Sequence, residues 1–134
     1  IEGSKNAVLP ILAATILNGG INVIKNLPKL RDVEVALDIL RSVGCKVTVE
    51  GDVATIDSSI INETQIPVNL AIEMRSSIIF MGPMLARCGK VTISYPGECV
   101  ILLAHRTNIL TLLFGLITYF VNNINFYLII SISV

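Results

Sequence analysis

The sequence predicts a mixed α/β fold assembled from repeated strand–helix units, and three patterns predict it. A nearly all-apolar helical run, a glycine stop, a short alternating strand and a proline turn follow one another from Pro10 to Pro28, and the same order recurs from Ser77 to Pro96. Between these copies lies an amphipathic helix, Leu30 to Val43. After it, two alternating segments are joined by Gly51-Asp52, as in a hairpin. Helical and strand periods interleave along the chain, which is the pattern of a mixed fold. A second copy of the unit starts at about Val68.

The elements follow in order. Val8 to Leu17 is apolar almost all round and is expected to be buried on most sides. Ser4 or Asn6 can cap its start, Pro10 suits its first turn, and Asn18-Gly19-Gly20 stops it. Ile21-Asn22-Val23-Ile24 alternates as a strand, and Lys25 to Pro28 turns the chain. In the amphipathic helix Leu30, Val33, Leu37, Leu40 and Val43 recur at spacings of three and four, and Gly44 stands at the C′ position. Lys46 to Glu50 and Val53 to Asp57 form the hairpin, and Ser58 to Pro67 reads as loop. Val68 to Cys88 reads as helix, kinked or broken at Pro83 and stopped by Gly89. Lys90 to Ser94 is a strand that ends in a Pro96-Gly97 turn.

Composition narrows the function classes. The 134 residues carry a net charge of +0, so nothing electrostatic points to nucleic acid or to an anionic membrane surface. Cys45, Cys88 and Cys99 are odd in number and irregularly spaced, no CxxC occurs, and His105 is the lone histidine. This set suits a reducing, cytoplasmic compartment and offers no metal site. The apolar fraction is 53%, and charges stop abruptly after Arg106.

Three stretches carry groups suited to chemistry. Lys5 and Asn6 open an apolar helix, where free N–H groups, the helix dipole and an ammonium converge as an anion site would require. Arg75, in Met74-Arg75-Ser76-Ser77, can join a helix start in holding a phosphate or carboxylate. Cys99 follows the Pro96-Gly97 turn on a loop tip, and the neighbouring Glu98 charge raises its thiol pKa, which suits proton delivery better than anionic attack. Each pattern, taken alone, is more often that of a capped helix with a solvated lysine, a surface arginine, or a cysteine in a surface turn.

Four ordered pieces join these stretches: Gly3-Ser4-Lys5-Asn6-Ala7 with Leu9 to Ala14, Asn26 to Val33, Met74 to Ile78 with Gly82 to Arg87, and Pro96-Gly97-Glu98-Cys99. Together they resemble the enolpyruvyl transferase family, across roughly Glu2 to Ile101. The loop cysteine favours the branch that acts on a sugar nucleotide over the branch that acts on shikimate 3-phosphate. The resemblance implies an inside-out α/β barrel, with apolar helices in the middle and sheets outside. It implies transfer of the enolpyruvyl group of phosphoenolpyruvate to the 3-hydroxyl of UDP-N-acetylglucosamine, with release of phosphate, in peptidoglycan synthesis. Lys5 would hold phosphoenolpyruvate, Asn6 would hydrogen-bond the sugar nucleotide, Arg75 would pair with phosphoenolpyruvate, and Cys99 would donate the proton. No metal or organic cofactor is implied.

The chain departs from that pattern in places. Glu98 replaces the usual glycine of the loop, and Arg106 lies too far along to stand for the family's next arginine. Residues 1–101 are expected to be a partial transferase domain of about one and a half repeat units, and 102–134 a divergent apolar tail, uncharged after Arg106. Because a base carboxylate and a further arginine come from a second domain in the family, the chain by itself is expected to have no turnover. Loss of charge where the family pattern ends is what a reading-frame slip leaves; re-sequencing that finds an intact frame, with no family sequence in another frame, refutes it. The runner-up is a small non-catalytic α/β interaction module whose tail associates with membranes. Its apolar run, Thr111 to Val121, is only ~11 residues against the ~20 a spanning helix needs.

Overall fold

The first helix, α1 (Lys5–Asn18), packs against the second and the fourth α-helices and the 3₁₀ helix. A computed structural model of the chain describes residues 5–74, 76–94 and 101–105. In chain order α1 is followed by β1 (Ile21–Ile24), α2 (Arg31–Ser42), β2 (Lys46–Glu50), β3 (Val53–Asp57) and α3 (Val68–Glu73). A 3₁₀ helix (Ser77–Phe80), α4 (Met81–Cys88), β4 (Lys90–Ser94) and β5 (Ile101–His105) complete the described elements. The fold is the mixed one expected, and both copies of the helix–glycine–strand unit are present. Gly19 (φ +64°) ends α1 before β1, and Gly89 (φ +80°) ends α4 before β4.

Apolar spacing decides what is buried. Leu12 and Ile16 of α1, Ile39 and Leu40 of α2, and Met84 and Leu85 of α4 are almost wholly inaccessible. The sheet β1–β3–β2 is antiparallel throughout, and Asp57 of β3 pairs with Ile21 on one side and Lys46 on the other. Alternation along β3 sends Ala54 and Ile56 into the helix layer and leaves its other residues half-exposed. Helices therefore lie on one face of this sheet and the other face is open. A second antiparallel pair, β4–β5, was not read from the sequence as a pair; β5 crosses the boundary at which the tail was expected to open. A parallel bridge from Gln65 to Thr92 ties the loop after β3 to β4.

The end of α2 shows how local chemistry fixes a boundary. The Cys45 N–H donates to the Leu40 carbonyl at 3.0 Å and the Gly44 N–H to the Arg41 carbonyl at 3.1 Å, the paired bonds of a Schellman motif. Gly44 has φ +111°, and a Cβ there would stand 2.5 Å from the Asn62 side chain. Both the conformation and the space demand glycine.

Three expectations need correction. The segment Val68 to Cys88 is not one helix broken at Pro83: α3 ends at Glu73 and the 3₁₀ helix starts at Ser77, so the interruption comes earlier than Pro83. Pro83 is the third residue of α4, where the missing N–H has no partner to lose. The break is set by tertiary burial instead, since Met74 and Ser77 are both fully inaccessible and the Ser77 hydroxyl donates to the Ala71 carbonyl at 3.0 Å. Next, α1 begins at Lys5, so Asn6 is a first-turn residue rather than a cap, and Pro10 lies inside the helix. Finally, α1 is buried on one face only; Ile11 and Leu17 on the other are about half exposed, at 48% and 52%.

The C-terminal end of α1 is held from three directions. Ser58, after β3, donates its hydroxyl to the Thr15 carbonyl at 2.6 Å. Asn22 of β1 donates to the same carbonyl at 3.4 Å. Arg87 of α4 donates to the Ile16 carbonyl at 2.7 Å and to the Ser59 carbonyl at 3.2 Å. These carbonyls have no partners within the helix, and a cation beside them also answers the helix dipole.

Candidate functional site

At the opposite end of α1 lies a cavity of about 530 Å³. Asn6, Asp32, Glu73 and Ser76 supply its polar lining, and Leu9, Pro10 and Ile79 its apolar wall. Each polar group comes from the end of an element. Asn6 is the second residue of α1, Asp32 the second of α2, Glu73 the last of α3, and Ser76 the residue before the 3₁₀ helix. Two helix N-termini thus border the cavity, and their free N–H groups favour an anionic or strongly accepting ligand.

The predicted site residues distribute as follows. Asn6 is exposed and lines the cavity. Lys5 opens α1 immediately before it, with its side chain outside the described residues. Arg75 and Cys99 lie outside the described residues, but Ser76, the neighbour of Arg75, lines the same cavity as Asn6. The fold therefore brings together two motifs that are far apart along the chain.

The surrounding turn is held firmly. The Ser77 N–H donates to the Met74 carbonyl at 2.9 Å, and the Ile79 N–H to the Ser76 carbonyl at 3.0 Å. Across the rim, Arg31 donates from Nε to Glu73 Oε1 at 2.7 Å and places Nη2 2.6 Å from the same oxygen. Its Nη1 stands 3.1 Å from Glu34. The hydrogen bonds that Arg31 donates, to Glu73 first and then to Glu34, hold the guanidinium above its already high pKa.

Sequence reasoning missed Asp32, Glu73 and Ser76. Asp32 and Ser76 stand inside quoted motif pieces without a role, and Glu73 immediately precedes Met74-Arg75. The two described thiols, Cys45 and Cys88, are held toward the protonated form. Burial pushes Cys45 up to about 11, and burial also raises Cys88, with Arg87 opposing both shifts. Among the described residues no group of three His, Cys, Asp or Glu converges as a metal site would.

Comparisons with known proteins give the chain its relatives. The chain is 48% identical over 106 residues to UDP-N-acetylglucosamine 1-carboxyvinyltransferase 2 of Caldanaerobacter subterraneus subsp. tengcongensis, a match covering 79% of this chain and 25% of that one. It is 41% identical over 101 residues to UDP-N-acetylglucosamine 1-carboxyvinyltransferase of Geobacter metallireducens, covering 75% of this chain and 24% of that one. The chain thus spans about a quarter of the length of these curated relatives. Its fold matches a crystal structure of the enolpyruvyl transferase NikO from Streptomyces tendae with TM-score 0.65 at 23% identity, covering 72% of this chain and 23% of that one. A family model described as EPSP synthase (3-phosphoshikimate 1-carboxyvinyltransferase) matches residues 1–103, and on that match the chain belongs to the EPSP synthase family of enolpyruvyl transferases.

Proposed function

We propose that the chain is part of a UDP-N-acetylglucosamine 1-carboxyvinyltransferase, which moves the enolpyruvyl group of phosphoenolpyruvate to the 3-hydroxyl of UDP-N-acetylglucosamine and releases phosphate. The observation that carries this reading is the 41–48% identity to curated relatives of that name, alongside a family match over residues 1–103, which hold all four motifs. The cavity supports it, because Asn6 and the neighbour of Arg75 border one space between two helix starts.

In this reading Cys99 gives a proton to C3 of phosphoenolpyruvate while C2 gains oxocarbenium character and the sugar hydroxyl attacks it. Lys5 and Arg75 hold the phosphate and carboxylate as that charge develops, and Asn6 orients the sugar nucleotide. A proton then leaves C3 as phosphate departs, which restores the double bond. The base for the sugar hydroxyl belongs to parts of the relatives that this chain does not span, so turnover by the chain alone is expected to be absent. Such a substrate places the reaction in the cytoplasm, at the start of peptidoglycan synthesis. The competing reading, an interaction module with a membrane-associated tail, depends on residues 107–134, which lie outside the described residues. Among the described residues no helix is long and apolar enough to cross a membrane.

The test is alkylation by fosfomycin, the epoxide to which this family's loop cysteine is sensitive, followed by mass spectrometry of the cysteine peptides. Cys99 should be labelled well ahead of Cys45 and Cys88, whose thiols are kept protonated by burial. Equal labelling of all three, or none, overturns the proposal. Glu98 makes the expected labelling slow.

A further inference from the structure

We propose that the ion pair between Arg31 and Glu73 is a positioning device that sets the width of the cavity, tying the wall at the end of α3 to the wall at the start of α2. The inference rests on the reading of this cavity as the nucleotide-sugar site.

Arg31 is the first residue of α2 and adjoins Asp32, which lines the cavity; Glu73 is the last residue of α3 and lines the cavity itself. Both Nε and Nη2 of Arg31 reach Glu73 Oε1, at 2.7 and 2.6 Å, so the guanidinium is fixed in direction as well as distance. Glu34 holds the remaining Nη1 at 3.1 Å and braces Arg31 on its own helix.

Helix α3 has six residues, of which only Ala71 is buried, while Val68 and Ile72 stand 44% and 45% exposed. Inward, the last turn of α3 is anchored by Leu70 and Ala71, whose carbonyls accept from the Met74 N–H at 3.2 Å and the Ser77 hydroxyl at 3.0 Å. On its exposed side, Arg31 supplies the tie from Glu73 across to α2.

The two side chains are 65% and 38% exposed, and exposed pairs contribute little to global stability. A carboxylate on the wall of a cavity meant for an anionic ligand would by itself repel that ligand. Pairing with Arg31 offsets much of the Glu73 charge and fixes the direction of its carboxylate, although Arg31 is shared with Glu34 and Asp32 lines the cavity as well.

The experiment uses the full chain, its Glu73→Gln and Arg31→Gln variants, and the double variant. Backbone amide resonances are recorded first without ligand and then during titration with UDP-N-acetylglucosamine. Without ligand, each single substitution should shift the Ser76 amide in the same direction, and the double variant should add nothing further. With ligand, each single variant should bind about fivefold more weakly than the parent chain, again without additivity, at a nearly unchanged thermal midpoint. A Ser76 amide that neither substitution moves overturns the positioning role whatever the ligand does. Tighter binding by Glu73→Gln also overturns it, because Arg31 would then be a ligand cation that Glu73 merely occupies. If the parent chain shows no shifts on titration while Ser76 responds to both substitutions, the tie stands as a structural fact and the reading of the cavity as a nucleotide-sugar site falls.

Discussion

The two ends of α1 are built on opposite plans. At the C-terminal end, the Thr15 and Ile16 carbonyls are taken up by Ser58, Asn22 and Arg87, which arrive from three other elements. At the N-terminal end, Asn6 is exposed and borders a cavity, so its capacity for hydrogen bonding faces outward. One rigid element thus has a saturated end that anchors it and an open end that can receive a ligand. Functional groups gain from this arrangement because a site held on an anchored helix needs little rearrangement to act. Removing groups at the anchored end should therefore cost stability, whereas removing them at the open end should cost recognition.

The largest effect is expected from Arg87→Ala. The substitution strips the Ile16 and Ser59 carbonyls of a charged donor and leaves space beside Gly19, whose Cβ position is 3.0 Å from the Arg87 guanidinium. A loss of about 2–3 kcal/mol should appear in urea denaturation, the range for a hydrogen bond to a charged group plus an orphaned carbonyl. Arg87→Lys should recover only part of it, since one ammonium cannot span both carbonyls as the guanidinium fork does. A change below about 0.5 kcal/mol, the level of an ordinary surface substitution, would mean that the clamp is incidental.

An intermediate effect is expected from alkaline pH, and it too acts near the anchored end. Cys45 is 5% exposed, and burial raises its thiol from 9.0 to about 11. The folded state therefore holds its proton where the unfolded state has released it. By linkage, stability should be at its full value below pH 9, fall as pH rises, and level off above about 11. Lysines and tyrosines titrate in the same range, so the readout is the difference between the parent chain and Cys45→Ala. That variant should lose some packing at neutral pH and show a shallower decline between pH 9 and 11. Parallel curves would show that the thiol is not responsible.

The same contrast explains what could be read from the sequence. The helix–glycine–strand units were legible because they depend on neighbours: a glycine at positive φ stops the helix and alternation starts the strand. The hairpin was legible for the same reason. The break between α3 and the 3₁₀ helix was not, because Val68 to Cys88 suits a helix locally, and the interruption comes from burying Met74 and Ser77 against distant elements. The clamp on α1 was equally hidden: Arg87 lay in a recognised motif, but its partners are Ile16 and Ser59. At the site, Asn6 could be named from its motif. Glu73 could not, since a carboxylate near an anion site reads as a solvated surface group until its pairing with Arg31 is known.

The smallest effect on stability, and the sharpest test of the comparison, is expected from Asn6→Ala. Asn6 is exposed in the first turn of α1, and alanine is the better helix former there, so the folding free energy should change by less than about 0.5 kcal/mol. Binding should respond differently. A neutral side chain that reaches a ligand hydroxyl or amide contributes on the order of 1 kcal/mol, so the affinity for UDP-N-acetylglucosamine should fall roughly fivefold to tenfold. Asn6→Asp separates recognition from mere loss of volume, because it keeps the shape but turns two donors into an acceptor and sets a negative charge against an anionic ligand. It should bind more weakly than the alanine variant while remaining folded. If Asn6→Ala instead destabilises the chain as much as Arg87→Ala does, both ends of α1 are anchors and the cavity is a gap between elements. If stability and affinity are both unchanged, the open end is solvent-facing surface, and recognition of the sugar nucleotide belongs to other residues.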